Sequence, residues 1–202
     1  MVKPLSHEFF QRDPLICARE LIGCTFGFAD VSGVIVETEA YASENDRACH
    51  TWKRAAAREF VDIHAPGSAY VYLNYGMHWL FNFLVKGGGR EGFVLIRALE
   101  PLHGIPLMRS RRKREHLMEL CSGPAKLTQA LEIDGSLHGS DPFAGNGWCL
   151  GKATGNQEVV VSRRIGITLD AEYPWRFLRK GCPFVSVTAG VNGPVQKKSR
   201  TD

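Results

Sequence analysis

The chain has 202 residues, 44% of them apolar, with 25 Lys plus Arg against 21 Asp plus Glu and a formal net charge of +4. That length and apolar content fit one packed domain and exclude an intrinsically disordered chain. No apolar run approaches the roughly 18 residues needed to cross a bilayer, and the opening MVKPLSHEFFQRD lacks a secretory apolar stretch, so an intracellular protein without a membrane anchor is expected.

In chain order, Asp13-Pro14 followed by LICARELIG reads as a capped helix ending at Gly23. CTFGFAD and VIVETEAY read as two strands with Ser32-Gly33 in the turn between them. The polar stretch from Ala42 to Pro66 is long for a loop and is expected to be functional or to hold short helices. AYVYL, MHWLFNFLV and GFVLIRALE form a strand-rich centre, joined by Asn74-Tyr75-Gly76 and by the glycine-rich KGGGREG. The pattern turns helical between Pro101 and Cys121, GPAKLTQAL reads as a further helix, and EVVVS, RIGIT and FVSVT read as short strands. The segregation of strands from helices gives an α+β fold, a single mixed domain over 1–202 with 190–202 as a flexible tail.

The charge is unevenly placed. Residues 1–100 carry 10 basic and 12 acidic groups, whereas residues 101–202 carry 15 and 9. This permits a polyanionic partner without requiring one. The six cysteines form no C-x-x-C pair and no zinc spacing, and they read as reduced thiols in a chain without a secretion signal.

Five constellations could carry chemistry. On a strand, Glu37, Glu39 and Tyr41 share one face, and Val34, Val36, Thr38 and Ala40 the other. Two acids on an apolar strand read either as a solvated face or as a general base that activates water. A glycosidase pair is disfavoured, because neighbours on one strand cannot flank a bond from opposite sides. His50, nine residues after Tyr41, is either solvated or folded back beside Glu39. Tyr70 and Tyr72 share a strand face, while Tyr75 falls at a turn, where it could project into a base stack. Asn82, alone among apolar neighbours, needs hydrogen-bond partners if buried. Arg97, inside an apolar strand, must pair, with Glu100 or Glu39 as the available acids, or orient a site. Finally Arg109, Arg111, Arg112, Lys113 and Arg114 make a basic run suited to phosphate contacts, and Arg163-Arg164 form a basic turn. SGPAKL lacks the spacing of a nucleotide P-loop.

Together ARELIGC, VIVETEAY, ACHT, YVYLNYGMHWLFN, VLIRALEP, CSGPAKLTQAL and RRIGI, in this order, resemble the alkyladenine (3-methyladenine, N-methylpurine) DNA glycosylases of the human type. The resemblance implies a curved, mainly antiparallel sheet with flanking helices, no metal and no cofactor. It implies double-stranded DNA with damaged purines as partner, no obligate protein partner, and a location in the bacterial cytoplasm or nucleoid, or in a eukaryotic nucleus. It implies monofunctional base excision of alkylated or deaminated purines by nucleotide flipping, leaving an abasic site. By position, it makes Glu39 the general base, with His50 and Arg97 holding the water and the flipped nucleotide. Tyr41, His50, Tyr72 and Asn82 surround the base, Tyr75 fills the gap in the duplex, and the backbone near Ile165 borders the water. Arg109, Arg111, Arg112, Arg163 and Arg164 are candidates for the DNA backbone. One departure stands out: Asp62-Ile63 occupy the place where the family carries a methionine near the gap. The alternatives are a damage-binding protein without turnover on the same scaffold and a small-molecule glycoside or nucleoside hydrolase using Glu37 and Glu39.

Overall fold

The structure is a computed structural model, and it describes residues 4–189. The tail expected at 190–202 lies outside the described residues. Eight strands form one sheet: β1 (Thr25–Phe28), β2 (Val31–Ala42), β3 (Ala69–Asn74), β4 (His78–Val85), β5 (Gly92–His103), β6 (Trp148–Gly151), β7 (Val159–Ser162) and β8 (Arg176–Arg179). The main path runs β3-β4-β5-β2-β1-β6, with β8 paired to β2 and β7 to β8, and every pairing is antiparallel. Six helices flank it: α1 (Pro14–Glu20), α2 (His50–Lys53), α3 (Ala55–Ile63), α4 (Ile105–Arg112), α5 (Leu117–Leu120) and α6 (Pro124–Leu131). The expected α+β class is therefore found.

α1 begins as its sequence predicts: the Asp13 carboxylate accepts the Leu15 N–H at 2.8 Å, and Pro14 occupies the first turn. One face of the sheet presents Phe26, Phe81, Phe83, Ile96 and Leu99 to Leu21, Met108, Leu127 and Leu131 of the α1, α4 and α6 layer. The opposite face, beneath α2 and α3, carries Tyr70, Leu84 and Phe93 against Phe60 and Val61. Both faces of the central strands are thus covered, and this second face holds the site.

Three expectations are corrected. Ser32 and Gly33 lie inside β2, and the β1–β2 turn sits instead at Ala29, whose φ is +50°. Gly33 is small because a Cβ there would meet the Glu100 carbonyl oxygen at 2.7 Å across the β2–β5 pairing. β5 runs on to His103, so helix starts only at Ile105. RIGIT and FVSVT are not strands; β6 and β8 are. The reason is chemical: the Ile165 N–H goes to the Glu39 carboxylate at 2.7 Å, and the Ser186 N–H goes to Glu37 at 2.5 Å. Backbone donors that would have joined a ladder are committed to buried acids.

Candidate active site

The register of β2 against β5 shifts between Ile35 and Glu37 and again between Glu37 and Thr38. This bulge takes Val36 out of the alternation expected for it. Val36 packs with Ala98 and Cys182, while Ile35 and Ala40 enter the main core and Thr38 Oγ1 donates to the Ala18 carbonyl. The bulge aims Glu37 and Glu39 together at Arg97 of β5.

Both acids are fully buried, so the solvated-face reading of this strand fails. Glu39 Oε2 accepts the Tyr41 hydroxyl at 2.8 Å and Arg97 Nη1 at 3.1 Å, and Oε1 accepts the Ile165 N–H. Glu37 Oε1 accepts Arg97 Nε at 2.9 Å and the Ser186 hydroxyl at 2.8 Å, and lies 3.5 Å from Nε of the fully buried Arg176. Arg97 therefore bridges two acids, Glu37 and Glu39; Glu100 pairs with Arg179 instead. Burial alone would lower the Arg97 pKa, but Glu39 and Glu37 outweigh it and hold the guanidinium firmly charged. Burial, then the neighbouring Glu39 carboxylate, raise the Tyr41 phenol well above its usual range, so Tyr41 remains a donor to Glu39.

A cavity of about 330 Å³ opens beside this cluster. Its wall includes Tyr41, His50, Tyr72, Asn82, Arg97 and Ile165, with the α6 start at Pro124-Ala125 and the β3–β4 turn at its mouth. Glu39 lies one layer beneath, touched by three of these lining residues. A larger cleft of about 630 Å³ lies on another face, between α1 and the 152–159 segment, and contains none of these residues.

His50 opens α2, its Nδ1 2.9 Å from the Tyr70 hydroxyl and its ring 4.3 Å, edge-on, from Tyr72. Burial first, then the Arg54 charge, push its pKa down to about 4, so it is neutral at pH 7. Asn82 is buried and donates to the Tyr70 carbonyl at 3.2 Å. Tyr75 stands 81% exposed at the β3–β4 turn with φ +50°, followed by Gly76 at +69° and the 71% exposed Met77.

The expected backbone contacts fare unevenly. Arg164 is buried, its guanidinium paired with Asp46 at 2.6 and 2.8 Å, and cannot reach a phosphate. Arg111 bonds the Ala130 carbonyl and Glu132, and Arg112 bonds Gln129, so both tie α4 to α6. Arg109 binds the Glu115 carbonyl at 3.1 Å, and Arg163 is exposed. The sequence reading passed over Lys53 and Arg54, exposed in and just after α2, which form no salt bridge among the described residues; Arg54 stands 5.9 Å over the Tyr72 ring. Their signal was in the letters, since TWKRAAAR follows His50 directly. Asp62 and Ile63 close α3. Lys86, just beyond β4, binds the Val61 and Asp62 carbonyls, which fixes the end of α3 at the end of the β3–β4 hairpin away from Tyr75. Among the described residues no group of three His, Cys, Asp or Glu side chains is placed to hold a metal ion, and no helix is long and apolar enough to cross a membrane.

Comparison with known proteins matches residues 8–183 to the family model described as methylpurine-DNA glycosylase (MPG). A protein of Rhodopseudomonas palustris (strain HaA2) named "Putative 3-methyladenine DNA glycosylase" is 45% identical over 184 residues, covering 91% of this chain and 90% of its own. Proteins of the same name from Bradyrhizobium diazoefficiens and Carboxydothermus hydrogenoformans are 44% and 42% identical, covering 91% and 90% of this chain and 91% and 98% of their own.

Proposed function

The chain belongs to the methylpurine-DNA glycosylase family, and from that premise we propose that it hydrolyses the N-glycosidic bond of alkylated or deaminated purines flipped out of duplex DNA, leaving an abasic site. The observation that carries this reading is the Glu39 carboxylate, fixed by three donors directly behind an aromatic cavity of ligand size.

A carboxylate offers about four acceptor positions. Tyr41 and Arg97 fill both on Oε2, and Ile165 fills one on Oε1. The remaining position on Oε1 is the place for a water. Glu39 takes a proton from that water as its oxygen bonds to C1′ of the flipped nucleotide, and the purine departs with the electron pair of the broken C–N bond. A purine alkylated on the ring carries positive charge and leaves as a neutral base. The same charge strengthens its stacking on Tyr41 and Tyr72. The 2.9 Å contact between His50 Nδ1 and the Tyr70 hydroxyl fixes the ring, and in the tautomer where the hydroxyl donates, Nε2 carries the proton as a donor. Among the described residues no lysine lines the cavity, and the reading is of a monofunctional reaction with water as the nucleophile.

Flipping costs a few kcal/mol of lost stacking and pairing. An exposed tyrosine in a left-handed backbone, at the cavity mouth, is suited to fill the vacated stack. We assign Lys53 and Arg163, both exposed and in no salt bridge among the described residues, to the strand backbone in place of Arg111, Arg112 and Arg164, while Arg54 stays over the Tyr72 ring. Both rival readings lose ground: Glu37 is locked by Arg97, Arg176 and Ser186 and cannot pair with Glu39 as a second catalytic acid, and a binder without turnover has no use for a buried base. The test is alkaline strand scission after incubation with a duplex bearing one methylated purine or hypoxanthine. Scission by the wild type, abolished in Glu39→Gln with duplex binding retained, is expected. Binding without scission, or action on a free nucleoside alone, would overturn the assignment.

A further inference from the structure

We infer that Arg164 and Asp46 form a positioning clamp for Glu39. The inference rests on the reading of Glu39 as general base. The two side chains meet in a fork, Nη1 to Oδ2 and Nη2 to Oδ1, with both groups wholly buried. The remaining bonds of the pair show what the fork holds together. Arg164 Nη1 also donates to the Ala40 carbonyl at 3.1 Å, between Glu39 and Tyr41 in β2, and Nη2 donates to the Asp170 carbonyl at 3.2 Å. Its guanidinium carbon sits 4.7 Å over the Tyr41 ring and 5.1 Å over Trp175. The residue after Arg164 is Ile165, whose N–H occupies Glu39 Oε1. Asp46 in turn accepts the Ala42 and Ala48 N–H groups at 3.1 Å, shaping the bend that leads into α2 and His50.

One ion pair thus joins the three pieces that define the base. Ile165 N–H bonds one carboxylate oxygen, and the ring under Arg164 belongs to the tyrosine that bonds the other. The Asp46 bend carries the histidine facing the same cavity. The chain from 163 to 170 has no ladder partner beyond Ser162; Arg47 anchors its far end through the Asp170 carboxylate at 2.7 Å, and the Arg164 fork anchors the end next to Ile165. If the clamp loosens, Oε1 loses its donor and the water position moves, and a displacement near 1 Å is enough to slow a reaction about 100-fold.

The test compares Asp46→Asn, Arg164→Gln and the double variant Asp46→Asn/Arg164→Gln, which leaves no orphaned charge. Three quantities are read: single-turnover excision from a hypoxanthine duplex at saturating enzyme, affinity for an abasic-site duplex, and the urea midpoint. Each single variant is expected to excise about 10- to 100-fold more slowly per folded molecule. Product affinity should stay within about threefold, so that rate and affinity part company as they would not on a mere loss of structure. The double variant should be no slower than the worse single, as expected of groups acting as a unit. Wild-type rates in folded variants would overturn the clamp, as would a loss of affinity equal to the loss of rate, which would mean that the fork shapes the duplex-binding surface rather than the base. If the wild type itself excises nothing, the functional reading falls. The clamp is then judged by hydrogen exchange of the 163–167 backbone, which must speed up in both single variants below the unfolding transition.

Discussion

Replacing Tyr75 by Ala separates duplex recognition from folding more cleanly than any other single change. The ring is 81% exposed and stands at the tip of a hairpin turn closed by the Met77 N–H on the Asn74 carbonyl. Its loss should change stability by no more than about 0.5 kcal/mol. Ala keeps the left-handed strain at φ +50°, whereas Gly would relieve it and confuse the comparison. Stacking of an aromatic side chain on a base contributes about 1–3 kcal/mol, so filling the gap should be worth roughly 5- to 150-fold in affinity. The assay is fluorescence anisotropy in a Glu39→Gln background, which binds without turnover, on a lesion duplex and on the same lesion in a single strand. Tyr75→Ala should weaken duplex binding by that factor and leave single-strand binding nearly unchanged, while Tyr75→Phe should bind like the parent. Equal losses on both substrates, or none on the duplex, would refute the gap-filling argument.

Glu39→Gln preserves shape but removes the base, and single-turnover excision should fall about 10²- to 10⁴-fold; a loss under threefold would remove Glu39 from the reaction. For His50, held near pKa 4 against 6.5 when free, the unfolded chain binds a proton between those values that the folded chain refuses. Stability should therefore fall as pH drops from 6.5 to 4 and level off below, by about 2 kcal/mol after allowing for the partly exposed ring. Urea melts of His50→Gln should lack that share of the slope, and an unchanged slope would contradict the buried neutral imidazole. Salt dependence locates the phosphate contacts: Lys53→Ala and Arg163→Ala should each reduce the slope of log K against log salt by about 0.9, and Arg111→Ala by nothing measurable. The reverse pattern would place the strand on α4.

Much of the fold was written in local pattern. The α1 cap, the three central strands and the helix at GPAKLTQAL follow from residues that interact with near neighbours, and the structure places each where its letters point. The misses share one cause, contacts distant in sequence. Gly33 looked like a turn residue because its reason for being glycine lies at Glu100. RIGIT and FVSVT looked like strands because nothing local shows that their N–H groups serve Glu39 and Glu37, 126 and 149 residues away. In the site, Glu39, Tyr41, His50, Tyr72, Asn82 and Arg97 do gather at one cavity or just behind it. Arg164 was misplaced because a buried arginine and a phosphate-binding arginine share one letter, and its partner Asp46 lies 118 residues away.

The buried charges explain why this network persists at all. Glu37, Glu39 and Asp46 stand with Arg97, Arg164 and Arg176, all six in the interior. Ion pairs of this kind are a poor source of stability, since apolar replacements of similar volume are often neutral or better. What they supply is position, because each donor on Glu39 is fixed by a further charge behind it. They also supply neutrality. With Asp170, also buried and paired with Arg47 at 2.7 Å, four acids face four arginines and sum to zero, so the base can lie beside a polyanion without repelling it, and the entire net charge of +4 is carried by groups outside the cluster. A substitution that breaks this balance, such as Arg97→Met, should therefore harm duplex affinity as well as rate. It would leave Glu37 and Glu39 less compensated beneath the cavity. Arg97→Lys should recover affinity more fully than rate, since an ammonium restores the charge but not the two-armed geometry. Equal recovery of both would mean that Arg97 contributes charge alone.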